Sequence, residues 1–427
     1  MKKGKIIVGM SIAYFITATG IYCARMNSGF AGIAVAQEAQ ESVGEPENTQ
    51  DSEASANDGM GMDLLSRHSL PGLERMEKED QDHYVNNLQV IKKMERLGLD
   101  TEDFLYPEFS ISNIEAAIRT KEDSYCDNGK KVDFRGATSQ ELQQVIDENP
   151  DAVIDIISDQ IRINETVVLH DNTIINGNGA RFIGEGVTCG VMAQGVSKIC
   201  LSNIVIEGKI DYGMYFVNCN NLNITQNTIE GCRQKAVYIE GPTEGLIICN
   251  NEMSDNQTGA LYIAGDVSQG LIEGNTILDN NGNSDWMAGI VLSNASPVSG
   301  DDTGTVLDDR LKSASARGKG RLDCPSDIIL KNNIISNNAS AGIYSDGAYK
   351  CYLLNNRVSE NDKEGIILNR GTIGFYLSQN TLEHNGCRSD QPDDDLKDGL
   401  AGISLDNAAY VVLENNNITD NYGGGIK

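Results

Sequence analysis

Tyr215, Tyr238, Tyr262 and Tyr344 occur in one kind of short phrase: a small residue, an aliphatic residue, then the tyrosine (Gly213-Met214-Tyr215, Ala236-Val237-Tyr238, Ala260-Leu261-Tyr262, Gly342-Ile343-Tyr344). Charged groups stand close to these phrases. Lys235 precedes one of them, and Glu240 and Asp346 each follow a tyrosine by two positions. Arg370 ends a sister phrase that has Ile367 in the tyrosine's place. Phenol rings in a row offer flat faces for stacking on a ring-shaped ligand, and hydroxyls for hydrogen bonds. Lysine or arginine beside carboxylates is material for proton transfer, and the carboxylates suit a hard cation such as Ca2+. Two plainer readings stand beside these. Tyrosine favours strands and pairs with itself across them, and most charged side chains are simply solvated.

The elements that carry these residues come from a repeat. Asn227, Asn251, Asn275, Asn333, Asn356, Asn380 and Asn416 align, at steps of 24, 24, 58, 23, 24 and 36 residues, as if loops were inserted into a fixed frame. Three positions before each stands an aliphatic residue (Ile224, Ile248, Ile272, Leu330, Leu353, Leu377, Leu413). Two positions after stands another apolar one (Ile229, Met253, Ile277, Ile335, Val358, Leu382, Ile418). Each repeat therefore reads as three short strands of period two joined by turns. Such a unit cannot bury a core alone and must stack on its neighbours. Stacked coils lie about 4.8 Å apart, and like falls on like. A column of Asn results, whose amides can bond to one another, and Asn also tolerates the left-handed backbone of a tight corner. In the early repeat "LSNIVIEG" the alignment puts Ile204, not Asn, at that corner.

These repeated words resemble the right-handed parallel β-helix of the pectate-lyase-like superfamily, in its NosD-like carbohydrate-binding and sugar-hydrolase form with PbH1-type repeats. The expected fold is an all-β solenoid, a single-stranded right-handed parallel β-helix with a short α-helical N-terminal region and a capping helix. The resemblance implies a substrate cleft over the strands that carry the tyrosines. It thereby makes Tyr215, Tyr238, Tyr262 and Tyr344 candidate substrate-binding residues, and Lys235, Glu240, Asp346 and Arg370 candidate catalytic ones. A lyase needs carboxylates to hold Ca2+ on a uronate and a Lys or Arg to take a proton, and a hydrolase needs two or three carboxylates close together. The N-T-D, D-D, G-H-G and R-I-K words of polygalacturonase-like enzymes are absent in strand context, as is the D-P-H-E word of mannuronan epimerases. His384, in "LEHNG", reads as a turn residue.

The rest of the chain frames this array. Residues 1–36 read as a signal peptide or membrane anchor, with a basic "MKKGK", an apolar run from Ile6 to Tyr22 and an A-x-A-like site before Gln37. Residues 37–63 are acidic and nearly without large apolar side chains, and read as a disordered linker. Residues 64–134 read as a helical N-terminal region that includes "ISNIEAAIRT". The β-helix is assigned to 135–427, entered through a capping helix with Thr138 and Glu141 as a capping box and stopped at Asn149-Pro150. The chain stops on Gly425-Ile426, a strand opening that does not finish, so the solenoid is expected to be cut short at its C-terminus. The ten cysteines show no disulfide or zinc spacing and are expected to be free. A formal net charge of −28 argues against nucleic acid.

Three functions remain open. One is a secreted or cell-surface protein that binds and modifies an extracellular polysaccharide as a lyase, epimerase or hydrolase, with Ca2+ as the candidate cofactor. The second is a non-catalytic glycan-binding or surface-display solenoid. The third is an accessory subunit of a polysaccharide-secretion system. The first predicts converging carboxylates beside Lys or Arg, and the second predicts aromatic rings without that convergence.

Overall fold

The computed structural model describes residues 6–8, 13–17, 20–24, 107–122, 129–282, 287–294, 324–369, 371–386, 400–406 and 408–427. The expected linker and most of the expected N-terminal helical stretch lie outside these residues. Within residues 1–36 three short strands are described, of which Ile6–Val8 pairs antiparallel with Ala409–Glu414. Among the described residues no helix is long and apolar enough to cross a membrane.

From Lys131 onward the chain winds as a parallel β-solenoid of about nine turns. Each coil carries three strands, so three parallel sheets run the length of the molecule. The first sheet contains Thr243–Cys249, Val267–Glu273, Ser326–Lys331 and Tyr349–Leu354. The second is made of three-residue strands such as Glu252–Ser254 and Thr276–Leu278. The third contains Val237–Glu240, Leu261–Ala264, Ile290–Ser293, Ile343–Asp346 and Ile366–Asn369. The aliphatic columns read from the sequence stack in register, for example Ile224 on Ile248 and then on Ile272. Their side chains meet at the centre as one continuous buried core. Where a glycine opens a third-sheet strand, the next coil approaches closely. A Cβ on Gly342 would stand 2.7 Å from the carbonyl oxygen of Gly365 in the next coil.

The Asn column is present, and it is buried. Asn227 Nδ2 donates to Asn251 Oδ1 at 3.0 Å, and Asn251 Nδ2 donates to Asn275 Oδ1 at 3.0 Å, on to Asn416. Ile204 holds the corner before the ladder begins, as aligned, and its N–H donates to Asn227 Oδ1. One expectation is corrected. The left-handed backbone falls on the residue before each ladder Asn, for example Gln226, Asn250, Asn332 and Gln379, and not on the Asn itself. A second ladder, five residues after the first, runs through Asn256, Asn280, Asn338, Asn361, Asn385 and Asn421. His384, φ 56°, is a turn residue just before one of its rungs.

Among the described residues two helices cover the array. The first, α1 (Pro107–Glu122), includes "ISNIEAAIRT" and lies on the outer face of the first sheet. That face is itself apolar: Ile247, Leu271, Ile329, Tyr352, Tyr376 and Val412 stack in one outward column, and Ile111, Ile114 and Ile118 pack against their cluster. Arg119 ties α1 down through Glu273 at 2.7 Å, and Lys331 reaches Glu115 at 3.2 Å. The second helix, α2 (Ser139–Glu148), has the expected capping box and buries Leu142 and Ile146 over the first coils. His170, one of four histidines, bonds Asp147 on α2 at 2.8 Å. Among the described residues six buried cysteines are outside any disulfide, but Cys200 is disulfide-bonded, which corrects the expectation for that residue.

Candidate functional site

The third sheet turns the second and fourth residues of each strand outward because its strands alternate with period two. The register places Tyr215 beside Tyr238, Tyr238 beside Tyr262, Tyr262 beside Val291, and Val291 beside Tyr344. Three of the four tyrosines form one stack. The rings of Tyr215 and Tyr238 lie 4.7 Å apart with planes 5° from parallel, and those of Tyr238 and Tyr262 lie 5.2 Å apart at 6°. Both faces of Tyr238 are therefore occupied by neighbours. Tyr212, three residues earlier in the same strand (Ser197–Val217), sets its ring at a steep angle to those of Tyr215 and Tyr238. What the stack presents outward is a row of ring edges and hydroxyls, with ring faces turned on one another. Val291 interrupts the row, and Tyr344 beyond it is buried at 3% exposure, its hydroxyl accepting from Asn369 Nδ2 at 2.8 Å.

Lys235 stands at the foot of the stack. It belongs to the turn before Val237–Glu240, and its side chain climbs one coil. There Nζ donates to the Thr258 carbonyl and lies 5.6 Å from the centre of the Tyr262 ring. Burial disfavours its charge and lowers its pKa to about 7. Glu240 closes the same strand and accepts from the Tyr238 hydroxyl at 2.9 Å. Burial, then this carboxylate, raises the pKa of Tyr238. The Tyr262 hydroxyl is hydrogen-bonded to Ser293. Burial, and the charges of Glu240 and Asp346, push its pKa up. On the other side, Arg233 pairs with Asp211 at 2.8 Å and closes the turn.

Asp346 is in the same outward row as Glu240, by way of Ala264 and Ser293. Three coil steps separate the two carboxylates, roughly 14 Å along the axis at the strand spacing. That exceeds the 5–9.5 Å, roughly, at which paired carboxylates cleave a glycosidic bond. The structure thus brings Lys235, Glu240, Tyr215, Tyr238 and Tyr262 together. It sets Asp346 and Tyr344, both buried, further along the third sheet, and Arg370 lies outside the described residues. Two contributors were not singled out from sequence: Tyr212, which lacks the repeated phrase, and Thr258, whose role rests on a backbone carbonyl. Among the described residues no three His, Cys, Asp or Glu side chains converge where a metal ion would sit.

Several solved structures are similar to this chain. An alginate lyase from Paenibacillus sp. str. FPU-7 is 11% identical with a TM-score of 0.46, over 69% of this chain and 99% of that one. The A-module of a mannuronan C-5 epimerase from Azotobacter vinelandii is 16% identical with a TM-score of 0.34, over 65% and 78%. Tailspike protein 2 of bacteriophage CBA120 is 11% identical with a TM-score of 0.40, over 70% and 52%. Comparison with curated protein sequences finds no match. The family described as the right handed beta helix region matches residues 159–320 and 304–427. With its stacked parallel coils and buried Asn ladders, the chain belongs to the right-handed beta helix family.

Proposed function

We propose that this is an exported protein that holds an extracellular polysaccharide along the third sheet, at the cell surface or beyond it. One observation carries the reading: a row of phenol hydroxyls with Glu240 at its edge and the buried amine of Lys235 at its foot. A polymer of hydroxylated rings meets such a row by hydrogen bonds, repeated coil by coil. The basic, apolar N-terminal stretch supports export and supplies a tether if it is retained.

The burial of Lys235 favours a second reading, in which the polymer is also cut. With a pKa near 7 the amine is largely unprotonated just above neutrality and can accept a proton. In a uronate-containing polymer that proton would leave the carbon next to the carboxyl group. The departing glycosidic oxygen would take one from the Tyr238 or Tyr262 hydroxyl. A hydrolase is less well supported, because Glu240 and Asp346 stand three coils apart.

Affinity electrophoresis through a panel of neutral, uronate and amino-sugar polymers tests binding, with a Tyr215, Tyr238 and Tyr262 triple Phe variant as its control. Retardation that the variant loses supports the reading, and unretarded migration through every polymer sinks it. Ultraviolet absorbance of an unsaturated uronate product tests cleavage. Its rate should rise with pH through about 7, as the Lys235 amine loses its proton, and should vanish in Lys235→Met.

A further inference from the structure

The outward face of the third sheet is exposed over its first coils and buried over the middle ones. One outward row starts at Val168, which is 39% exposed, and passes over Met192 to the stacked tyrosines, all of them partly exposed. After Tyr262 the row changes. Val291 is fully buried, and Tyr344 and Ile367 beyond it are buried as well. These three form one apolar cluster with Ala288 and Ala341, and Tyr262 packs against it. The second outward row makes the same change one coil earlier. Gln194 is exposed and Glu240 half-buried, whereas Ala264 and Ser293 are buried. Two rows on the same strands lose solvent within a coil of each other, so the change belongs to the sheet and not to one side chain.

The accessible hydroxyls and ring edges therefore lie on a short face. From Val168 to Tyr262 there are four coil steps at about 4.8 Å, roughly 19 Å. An internal stretch of a long chain has to leave such a face on both sides, and past Tyr262 the sheet offers it no exposed surface. A chain terminus has only to leave by the Val168 side. We infer that the third sheet holds its polysaccharide by one end, with the terminal unit against Tyr262 and the following units leading out over Tyr215 and Met192 towards Val168. This rests on the polysaccharide reading above and narrows it from a polymer to a polymer end. It also sets what cleavage would release. The Lys235 amine lies 5.6 Å from the centre of the Tyr262 ring, beside the terminal unit, so a bond cut there frees a short fragment.

The test is titration calorimetry of the full chain with size-fractionated oligouronates, cello-oligosaccharides and chitin oligomers, which reads stoichiometry as well as affinity. The expected result is one protein per oligosaccharide at every length, with an affinity that rises until the chain reaches Val168 and then levels. Tyr262→Phe should weaken every oligomer roughly three- to tenfold, the scale of one hydrogen bond between neutral groups. Met192→Ala should weaken only the longer oligomers and leave the shortest one that binds unchanged. A number of proteins per chain that grows with length overturns end binding and leaves the polysaccharide reading standing. So does a Tyr262→Phe variant that spares the shortest oligomer, because the terminus then lies elsewhere. Oligomers that fail to bind where their parent polymers are retained also refute it, since a terminus is common to both. If no oligomer binds and the polymer panel also fails, both readings fall together.

Discussion

At Lys235 the native and unfolded states disagree about a proton. The unfolded chain holds it up to a pKa near 10.5, but in the native state burial lowers that value to about 7. Native stability is unaffected by this group above the unfolded pKa, falls as the pH drops from 10.5 towards 7, and carries the full penalty below 7. Lys235→Met removes the penalty. It should stabilise the protein at acid pH by on the order of a few kcal/mol, and by progressively less as pH rises. Urea unfolding of both proteins across that range checks it, and a difference independent of pH would show that Lys235 is not held in this way. The retained penalty fits a residue kept for chemistry. It was not legible in the sequence, because Lys235 is sheltered by Thr258 and Tyr262 from the next coil. The tyrosine column was legible as a register. Its ring geometry was not, since the outward phrase does not say whether rings face a ligand or one another.

The unit of order at the next scale is the ladder. Asn275 shows what one rung does. Its Oδ1 accepts from the Asn251 N–H and Nδ2, and its Nδ2 donates to the Ile248 carbonyl and to Asn333. Asn275→Ala strands these buried groups at once. It should cost about 2–4 kcal/mol, well above a typical surface change, as read from the shift in urea midpoint. The fold was legible in these elements, since period-two aliphatics and one Asn per coil specify three strands and a corner. The second ladder was equally legible, five residues after the first, but its first place is held by Cys232, whose N–H donates to Asn256. The left-handed residue was misplaced by one position because side chain and backbone of the corner do separate jobs. The Asn side chain ties coils together while its predecessor makes the bend.

Over the whole molecule each coil touches chiefly its neighbours, so stability is nearly a sum of local terms. Helix α1 adds to that sum over a limited stretch. Ile118→Asp should lower hydrogen-exchange protection in Thr243–Cys249 and Val267–Glu273, the first-sheet strands under the helix. It should leave Thr381–Glu383 on the second sheet unchanged, and a uniform loss would contradict this local picture. The ladder also has a consequence for measurement of length. Its rungs keep Nδ2-to-Oδ1 distances of 2.9–3.0 Å whether the residues joined are 23, 24, 36 or 58 apart in sequence. Position along the axis is therefore counted in turns, and the number of residues between turns drops out. Groups on the third sheet can stand only at whole multiples of that pitch. A polymer laid beside them brings a period of its own. Two rulers of unequal division coincide only at intervals, as on a vernier, so selectivity for chain length can follow from the mismatch of the two scales without any single residue encoding it.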